Sequence, residues 1–363
     1  MSVTQQHVLE ALAQVKDPDL NRDIVALGFV KGLKVEGGRV SFAIELTTPA
    51  CPVRDQMKEQ ARAAVAALPG VSQVEITMTS QVRPSIAAPP QGRGALIPAV
   101  KNVVAIASGK GGVGKSTVSA NLAVALAATG ARVGLMDADV YGPSIPTLLG
   151  VTSQPEIDER NRITPIERHG VKVISMGFFM KPGEAVVWRG PMLHKTVEQF
   201  LGGVEWGELD YLLVDTPPGT GDVTLSLCQL IPLTGAVIVS TPQDVALNVA
   251  QKAIAMFRKL NAPILGVIEN MSAHVCGSCG ARDEIFGSGG AKAMAERMGA
   301  AFLGEIPLAT RIRETSDAGL PLVLAEPGSP AARAFTEVAE RLAAQISIRA
   351  MQGERTPQIN VTF

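Results

Sequence analysis

Apolar positions divide the chain into two regions with different periodicities. In the first region, helix-like spacing covers residues 8–15 and 53–68, and strand-like stretches cover residues 26–35, 40–46 and 71–78. Period-3.6 and period-2 patterns are typical of amphipathic helices and half-buried strands. The order α-β-β-α-β therefore predicts a small α+β domain over residues 1–80.

The second region begins near residue 100 with short runs that are apolar at every position. These runs cover residues 102–107, 133–136, 211–214, 236–239 and 264–268. Strands that are apolar on both faces and alternate with helical stretches indicate a buried, mostly parallel sheet with helices packed on it. The fold class predicted for residues 100–348 is therefore α/β.

Proline and polar residues mark the predicted boundaries. Residues 81–99 contain Pro84, Pro89, Pro90 and Pro98, and a proline-rich segment of this kind favours a semi-rigid linker between domains. Residues 349–363 are mostly polar, and we expect them to form a flexible tail.

Composition excludes several classes of protein. The 33 basic and 34 acidic residues give a net charge of -1, with no basic run, so no nucleic-acid partner is expected. No apolar run approaches the roughly 20 residues that span a bilayer, so no membrane partner is expected. Four cysteines do not form a disulfide framework, and no signal peptide is visible, which predicts a cytoplasmic protein with reduced thiols.

The most specific motif is the segment GKGGVGKS at residues 109–116. It follows a predicted strand and opens a predicted helix, which is the context of a phosphate-binding P-loop. Backbone N–H groups in such a loop surround the phosphates, and the helix dipole adds positive potential. We expect Lys115 to reach the β- and γ-phosphates, Ser116 to bind Mg²⁺ and Thr117 to contact the α-phosphate.

Acidic residues follow two of the predicted strands. Asp137 and Asp139 end one apolar run, and Asp215 begins the segment DTPPG, which ends at Gly219, after another. The carboxyl ends of parallel strands meet at one edge of a sheet, where α/β proteins bind their ligands. Carboxylates at this edge suit Mg²⁺ bound through water.

A second motif, Cys276-Gly-Ser-Cys279, places two thiolates on one tight loop. Two thiolates are half of a tetrahedral thiolate site, and a two-fold dimer would complete it. Iron–sulfur, zinc shared across the dimer, zinc held with His274, a thioredoxin-like redox pair and a metal-free loop all stay open. Cys51, just before a predicted helix, is either a reactive or metal-binding thiol or a small buried residue, and Cys228 is expected in the core.

The P-loop, with its early Lys110, resembles the deviant Walker A motif of the MinD/ParA/nitrogenase-reductase class of dimeric ATPases. The chain from about 101 to 344 is more specifically similar to the Mrp/ApbC family of iron–sulfur cluster carriers. The segments that carry this similarity are 109–116, 137–144, 188–192, 215–222, 269–272 with the C-x-x-C, and 285–287. Residues 17–20 and 48–52 resemble the small iron–sulfur assembly domain that is often fused ahead of such ATPases.

The resemblance implies roles for individual residues. Lys110 would act across a dimer interface, Asp139 would orient the attacking water, and Asp215 would be the Walker B acid. Gly219 would donate to the γ-phosphate, and Asn270 would read adenine, although a turn asparagine is an alternative. The implied catalytic residues are Lys110, Lys115 and Asp139. The implied nucleotide site comprises Gly109, Lys110, Gly111, Gly112, Val113, Gly114, Lys115, Ser116, Thr117, Asp215, Gly219 and Asn270.

The resemblance also implies a function. Two copies of the chain would hold a [4Fe–4S] cluster between Cys276 and Cys279 of each, receive it from an assembly scaffold and pass it to apo proteins in a step coupled to slow ATP hydrolysis. Two alternatives are a MinD/ParA-like positioning or regulatory switch and an ATP-gated electron donor. The segment 188–192 is expected at a dimer or switch contact, and His274 has no assigned role.

Overall fold

The computed structural model of the chain describes residues 3–85, 96–180, 190–219, 221–276 and 279–353. The chain divides into two compact units, one containing Met1–Arg83 with the chain from Ser347, the other Pro84–Ile346. The helices in the described residues are α1 (Gln5–Leu12), α2 (Arg54–Ala66), α3 (Lys115–Ala128), α4 (Ile145–Leu148), α5 (Gly190–Gly202), α6 (Asp222–Leu230), α7 (Asp244–Lys259), α8 (Gly290–Arg297), α9 (Thr310–Asp317), α10 (Leu322–Ala325) and α11 (Pro330–Gly353). The strands are β1 (Lys16–Asp17), β2 (Arg22–Asp23), β3 (Val30–Glu36), β4 (Arg39–Leu46), β5 (Gln73–Ser80), β6 (Val103–Ser108), β7 (Val133–Asp137), β8 (Ile166–Arg168), β9 (Val171–Ser175), β10 (Tyr211–Asp215), β11 (Gly235–Ser240), β12 (Ile264–Val275), β13 (Arg282–Asp283) and β14 (Phe302–Leu308).

The first unit is built on a three-stranded sheet of order β3-β4-β5, with β3 antiparallel and β5 parallel to β4. Strand β4 alternates buried and partly exposed positions because one face lies in the same hydrophobic core as residues of α1 and α2. Val8, Ile44 and Met57 belong to the core of this unit. The predicted α-β-β-α-β order is present, with a short β1–β2 hairpin added after α1.

The described residues of the second unit form a nine-stranded sheet of order β13-β12-β11-β6-β10-β7-β9-β8, with β14 also paired to β12. Among the described strands of this sheet, only β8 and β13 run antiparallel to their neighbours. Every residue of β6, β7, β10 and β11 is buried, as expected of strands covered on both faces by helices. The predicted class, an α/β P-loop fold with a mostly parallel sheet, is confirmed.

Helix α3 lies in the interior of this unit, and ten of its fourteen residues are buried. Its sequence is rich in alanine and leucine, which favour helix and pack closely against a sheet. Gly130, with φ +95°, follows the last turn in the left-handed conformation that glycine adopts without strain. Helix α3 therefore begins at the P-loop and ends at a glycine stop.

Strand register brings the acidic residues together. Strands β7 and β10 are parallel neighbours, and Asp137 pairs directly with Asp215 in their register. Strand β6, which leads into the P-loop, lies on the other side of β10. The carboxyl ends of three strands thus converge where α3 begins, the usual place for a ligand in an open α/β sheet.

The last helix extends into the segment that was expected to be a flexible tail. Residues 349–353, expected in a flexible tail, continue α11 because Ala350 is buried and Met351 packs against the core of the first unit. The remaining tail residues, and residues 86–95 of the expected linker, lie outside the described residues.

Within the described part, no helix has both the length and the apolar character needed to cross a membrane.

Candidate nucleotide site and cysteine hairpin

The P-loop joins β6 to α3, and two of its glycines have backbone angles that other residues rarely adopt. Gly112 has φ +81° and Gly114 has φ +80°. Gly109 is required for a different reason, because a Cβ there would lie 2.5 Å from the backbone carbon of Val249 in α7. Glycine-rich loops at the start of a helix direct backbone N–H groups at a bound anion, so the sequence and place of this loop are those of an anion cradle.

Asp215 is the centre of the polar network beneath the loop. Its carboxylate is fully buried, and Oδ2 lies 2.6 Å from both Lys115 Nζ and Ser116 Oγ. The other oxygen, Oδ1, accepts a hydrogen bond of 2.5 Å from Ser119. A hydroxyl and a carboxylate oxygen that converge in this way are the hard donors that Mg²⁺ prefers, usually together with substrate phosphate oxygens. The residues therefore fit a magnesium ion, held by Ser116 and Asp215, which would neutralise phosphate charge.

Asp137 is also fully buried, and three donors surround its carboxylate. Oδ1 accepts from the N–H of Asp139, and Oδ2 accepts from the N–H of Ile145 and the hydroxyl of Ser175. Burial and the neighbouring Asp215 carboxylate raise the pKa of Asp137 to about 7 in spite of these bonds. Asp137 thus anchors both ends of the loop that carries Asp139.

Asp139 lies at the mouth of the site. It is only partly buried, and burial is the main cause of its raised pKa. A cavity of about 520 Å³ opens beside it, lined on the other side by Pro217, Pro218 and Asp222. A partly exposed carboxylate beside a cavity can contact water, although the predicted role of Asp139 in orienting the attacking water stays a prediction.

Gly219 lies in the same region with φ +89°, and its N–H donates to the Ser108 carbonyl at 2.9 Å. Its predicted role as a γ-phosphate donor is untested. Lys110 is partly exposed, and its ammonium lies 3.5 Å from the side-chain oxygen of Gln243 at the start of α7. A neutral amide does not compensate the charge of Lys110 at this contact, and its predicted role across a dimer interface stays a prediction.

Asn270 is placed against the P-loop by β12. It is buried, and its side-chain amide donates to the Val113 carbonyl at 2.8 Å. A Cβ on Gly114 would lie only 2.3 Å from the same nitrogen, which is a second reason for glycine at this position. The reading of adenine by Asn270 stays a prediction. The structure adds that Asn270 holds the P-loop through the Val113 carbonyl.

Glu269 is a buried residue that opens the segment 269–272 and to which the sequence assigned no role. Its two carboxylate oxygens accept the N–H groups of Gly289 and Ala291 at 2.8 and 2.7 Å, at the start of α8. A carboxylate at a helix N-terminus satisfies unpaired donors and complements the helix dipole. Glu269 therefore fixes α8 to β12 beside Asn270.

The two cysteines of the C-x-x-C motif lie in the turn of the hairpin formed by β12 and β13. Cys276 is partly buried and Cys279 is exposed. The Cys276 N–H donates to the Ala281 carbonyl, and the Gly280 N–H donates back to the Cys276 carbonyl, which closes the turn. Within the part of the chain that is described, no three His, Cys, Asp or Glu side chains are grouped to hold a metal ion. One copy therefore provides two exposed or half-exposed thiols and no described third ligand.

His274 precedes this turn on β12, and its ring Nδ1 lies 3.0 Å from the Leu308 carbonyl of β14. This contact gives His274 a structural explanation that its sequence position did not suggest. Trp188 and Arg189 of the segment 188–192 lie outside the described residues, and Met192 is 48% exposed on α5. The predicted dimer or switch contact at this segment is untested.

The remaining cysteines lie elsewhere. Cys51 is partly buried and packs against the core of the first unit, three residues before α2. Both of its predicted roles stay open. Cys228, expected in the core, is only partly buried on α6, and this burial raises its pKa to about 11. A raised pKa makes Cys228 a poor nucleophile and a poor metal ligand.

Comparison with known proteins identifies relatives of both units. Residues 99–343 match the family described as NUBPL iron-transfer P-loop NTPase, and residues 5–77 match the family described as iron–sulfur cluster assembly protein. The chain is 50% identical over 345 residues to the iron–sulfur cluster carrier protein of Deinococcus radiodurans, covering 95% of this chain and 96% of the relative. It is 44% identical to the carrier protein of Synechocystis, covering 96% and 99%.

Two solved structures resemble the P-loop unit. A nucleotide-binding protein of Archaeoglobus fulgidus in complex with ADP is 41% identical, with a TM-score of 0.55, covering 62% of this chain and 88% of its own. The cell division ATPase MinD of Pyrococcus furiosus is 26% identical, with a TM-score of 0.51, covering 66% and 97%. From these matches and the P-loop geometry, the protein belongs to the NUBPL iron-transfer P-loop NTPase family and carries an iron–sulfur cluster assembly domain.

Proposed function

We propose that two copies of this chain bind an iron–sulfur cluster, of the [4Fe–4S] type, as cargo between Cys276 and Cys279 of each copy. The cluster comes from an assembly scaffold and passes to apo target proteins. Each copy binds ATP with Mg²⁺ and hydrolyses it slowly, and hydrolysis is coupled to transfer. The carrier acts in the cytoplasm, where thiols stay reduced.

The observation that carries this proposal is the cysteine hairpin. A cubane cluster takes four thiolates, and one copy offers two on a turn, with no third ligand grouped near them among the described residues. A second copy related by a two-fold axis supplies the other pair from the same turn. The exposure of Cys279 supports exchange with the thiols of a recipient, because ligand exchange needs an accessible attacking position.

The nucleotide side of the proposal is supported by the network around Asp215. Lys115 and Ser116 lie at the start of α3 and within 2.6 Å of the same carboxylate oxygen, which groups a lysine, a hydroxyl and an acid of the kinds that a Mg²⁺–phosphate site uses. Lys110 would reach the nucleotide of the second copy, and Asp139 would orient the water for hydrolysis. Relatives that are named iron–sulfur cluster carriers cover nearly the whole chain, which supports a shared role.

Coupling between the two sites is proposed to pass along β12. This strand holds Asn270 against Val113 of the P-loop and leads directly into Cys276. Between them, Met271 has φ +59°, and the pairing of β12 with β14 changes register after Asn270. An irregular strand that contacts both sites can shift its end when the loop at its middle closes on nucleotide.

The first experiment is anaerobic reconstitution with iron and sulfide, followed by measurement of iron, acid-labile sulfide, zinc and molar mass. About four iron and four sulfide per dimer are expected for the wild type. Cys276→Ala should lose the cluster, and Cys228→Ala, which removes a partly buried thiol away from the hairpin, should keep it. A zinc-only protein, or a cluster retained by Cys276→Ala, would refute cluster binding at the hairpin.

A second experiment tests transfer and its coupling. The loaded dimer is mixed with an apo enzyme whose activity returns when a [4Fe–4S] cluster is inserted. Transfer should be faster with ATP than with ADP, and Lys115→Ala should abolish the difference without reducing cluster content. Equal rates with both nucleotides would leave a cluster carrier without ATP coupling.

A further inference from the structure

Ser119 lies on α3, one turn after Lys115, and no motif or family resemblance assigns it a role. Its side chain is fully buried. Its hydroxyl lies 2.5 Å from Asp215 Oδ1 and 3.0 Å from the Lys115 carbonyl, so two acceptors compete for one proton. The carboxylate is closer and charged, and hydrogen bonds to charged acceptors are shorter and stronger, so the proton goes to Asp215.

The two oxygens of Asp215 therefore have different partners. Oδ1 is held by Ser119, and Oδ2 faces Lys115 and Ser116, where the metal and phosphate would bind. Without the Ser119 bond, the carboxylate plane could rotate about its Cβ–Cγ bond and move the facing oxygen away from Lys115 and Ser116. Rotation about this bond is soft, because terminal sp³–sp² torsions have broad energy wells.

We propose that Ser119 is a positioning residue for the magnesium site: by holding Oδ1, it keeps Oδ2 of Asp215 directed at the ion that Ser116 also binds. This inference rests on the magnesium-dependent ATPase in the proposed function. It does not depend on the iron–sulfur cargo, because it concerns only how the nucleotide site holds its metal ion. Ser119 does not contact the nucleotide in this scheme, because it acts only through Asp215.

The test uses Mn²⁺ as a paramagnetic substitute for Mg²⁺ in the full-length protein. Binding of Mn²⁺ in the presence of ADP is titrated by electron paramagnetic resonance, and ADP binding is measured separately without metal. Ser119→Ala should weaken Mn²⁺ binding about tenfold, an effect in the range of a lost hydrogen bond to a charged group. ADP binding without metal should stay unchanged, because Ser119 is not part of the phosphate cradle.

Ser119→Cys and Thr315→Val are the companion variants. Ser119→Cys keeps the volume and a weak donor, so its Mn²⁺ affinity should lie between those of Ser119→Ala and wild type. Thr315→Val removes another buried helical hydroxyl, which donates to the Arg311 carbonyl at 2.9 Å, and it should bind Mn²⁺ like wild type. The Mg²⁺ concentration for half-maximal ATPase should rise in Ser119→Ala in proportion to the loss of Mn²⁺ affinity.

The outcomes separate this inference from the proposed function. If wild type binds no Mn²⁺ with ADP, the magnesium-dependent ATPase itself is wrong. If wild type binds Mn²⁺ and Ser119→Ala binds it equally well, the positioning role is wrong and the ATPase stands. If Ser119→Ala does not fold, an unchanged Mn²⁺ affinity in Ser119→Cys would overturn the role, and an intermediate one would support it.

Discussion

Replacing Gly109 by alanine should destabilise the protein through a clash that no side chain can relieve. A Cβ at this position would lie 2.5 Å from the carbonyl carbon of Val249, 2.6 Å from the nitrogen of Ala250 and 2.8 Å from the Val249 oxygen. An ordinary contact begins at about 3.4 Å, so the loop and the backbone of α7 would have to separate by about 0.9 Å. Overpacking of this kind costs about 1–3 kcal/mol.

Gly111→Ala is a matched control in the same loop. A Cβ there would meet only Pro218 Cγ, at 3.9 Å, and the backbone angle is not in the left-handed region. Its unfolding free energy without nucleotide should stay within about 0.5 kcal/mol of wild type, as for substitutions that create no strain. Both variants contain the same added methyl group, so the difference between their unfolding free energies measures the effect of the close contact between Gly109 and α7.

The assay is urea unfolding without nucleotide, followed by circular dichroism, with ADP binding as a second readout. Gly109→Ala should unfold at a lower urea concentration and bind ADP more weakly, because the loop would shift from its position over α3. If the two alanine variants unfold at the same urea concentration, the proximity of Gly109 to α7 does not constrain the loop, and the reasoning fails.

Three further outcomes are expected. Glu269→Gln replaces one of two acceptors at the start of α8 with a donor, so urea unfolding should show a loss of about 1–3 kcal/mol, whereas the half-exposed Glu305→Gln should lose little. Asp137, with a pKa raised from 3.8 to about 7, retains a proton in the folded state that the unfolded chain has released, so the free energy of unfolding should fall as pH rises from 3.8 to 7. Urea midpoints across this range should show a flatter dependence in Asp137→Asn, and an equal slope would contradict this assignment. Lys110→Ala removes a charge whose described contact is the amide of Gln243, so stability and ADP binding should be kept. If Lys110 acts across a dimer, ATP turnover should fall at least about tenfold, and unchanged turnover would exclude that role.

The sequence identified the features whose signals are local. Apolar runs located β6, β7, β10 and β11, and the P-loop motif located the start of α3, because burial on both faces and a glycine-rich turn leave their mark on adjacent residues. The acidic residues that end β7 and β10 were expected at one edge of the sheet, and the parallel register makes them direct neighbours. Strands β8, β9 and β14 were not predicted, since their runs are short or interrupted.

The contacts that shape the site could not be predicted because their partners are distant in sequence. Ser119 and Asp215 are 96 positions apart, and Asn270 and Val113 are 157 apart. A serine in an alanine-rich helix gives no local sign that it bonds a carboxylate on another element. His274 likewise contacts Leu308, 34 positions away, so the carbonyl partner of its ring could not be predicted from its position before the cysteines.

The raised pKa of Cys228, which is partly buried, has a practical consequence for chemical labelling. With a pKa of about 11, only about one molecule in ten thousand has this thiol ionised at pH 7, compared with about one in a hundred for an ordinary cysteine. Alkylating reagents and mild oxidants react with the ionised form. Cys228 should therefore react much more slowly than an ordinary cysteine in the native protein, and a brief alkylation will count mainly Cys51, Cys276 and Cys279. Protection of two of these three in a loaded dimer would measure cluster occupancy directly, without removing any cysteine by mutation.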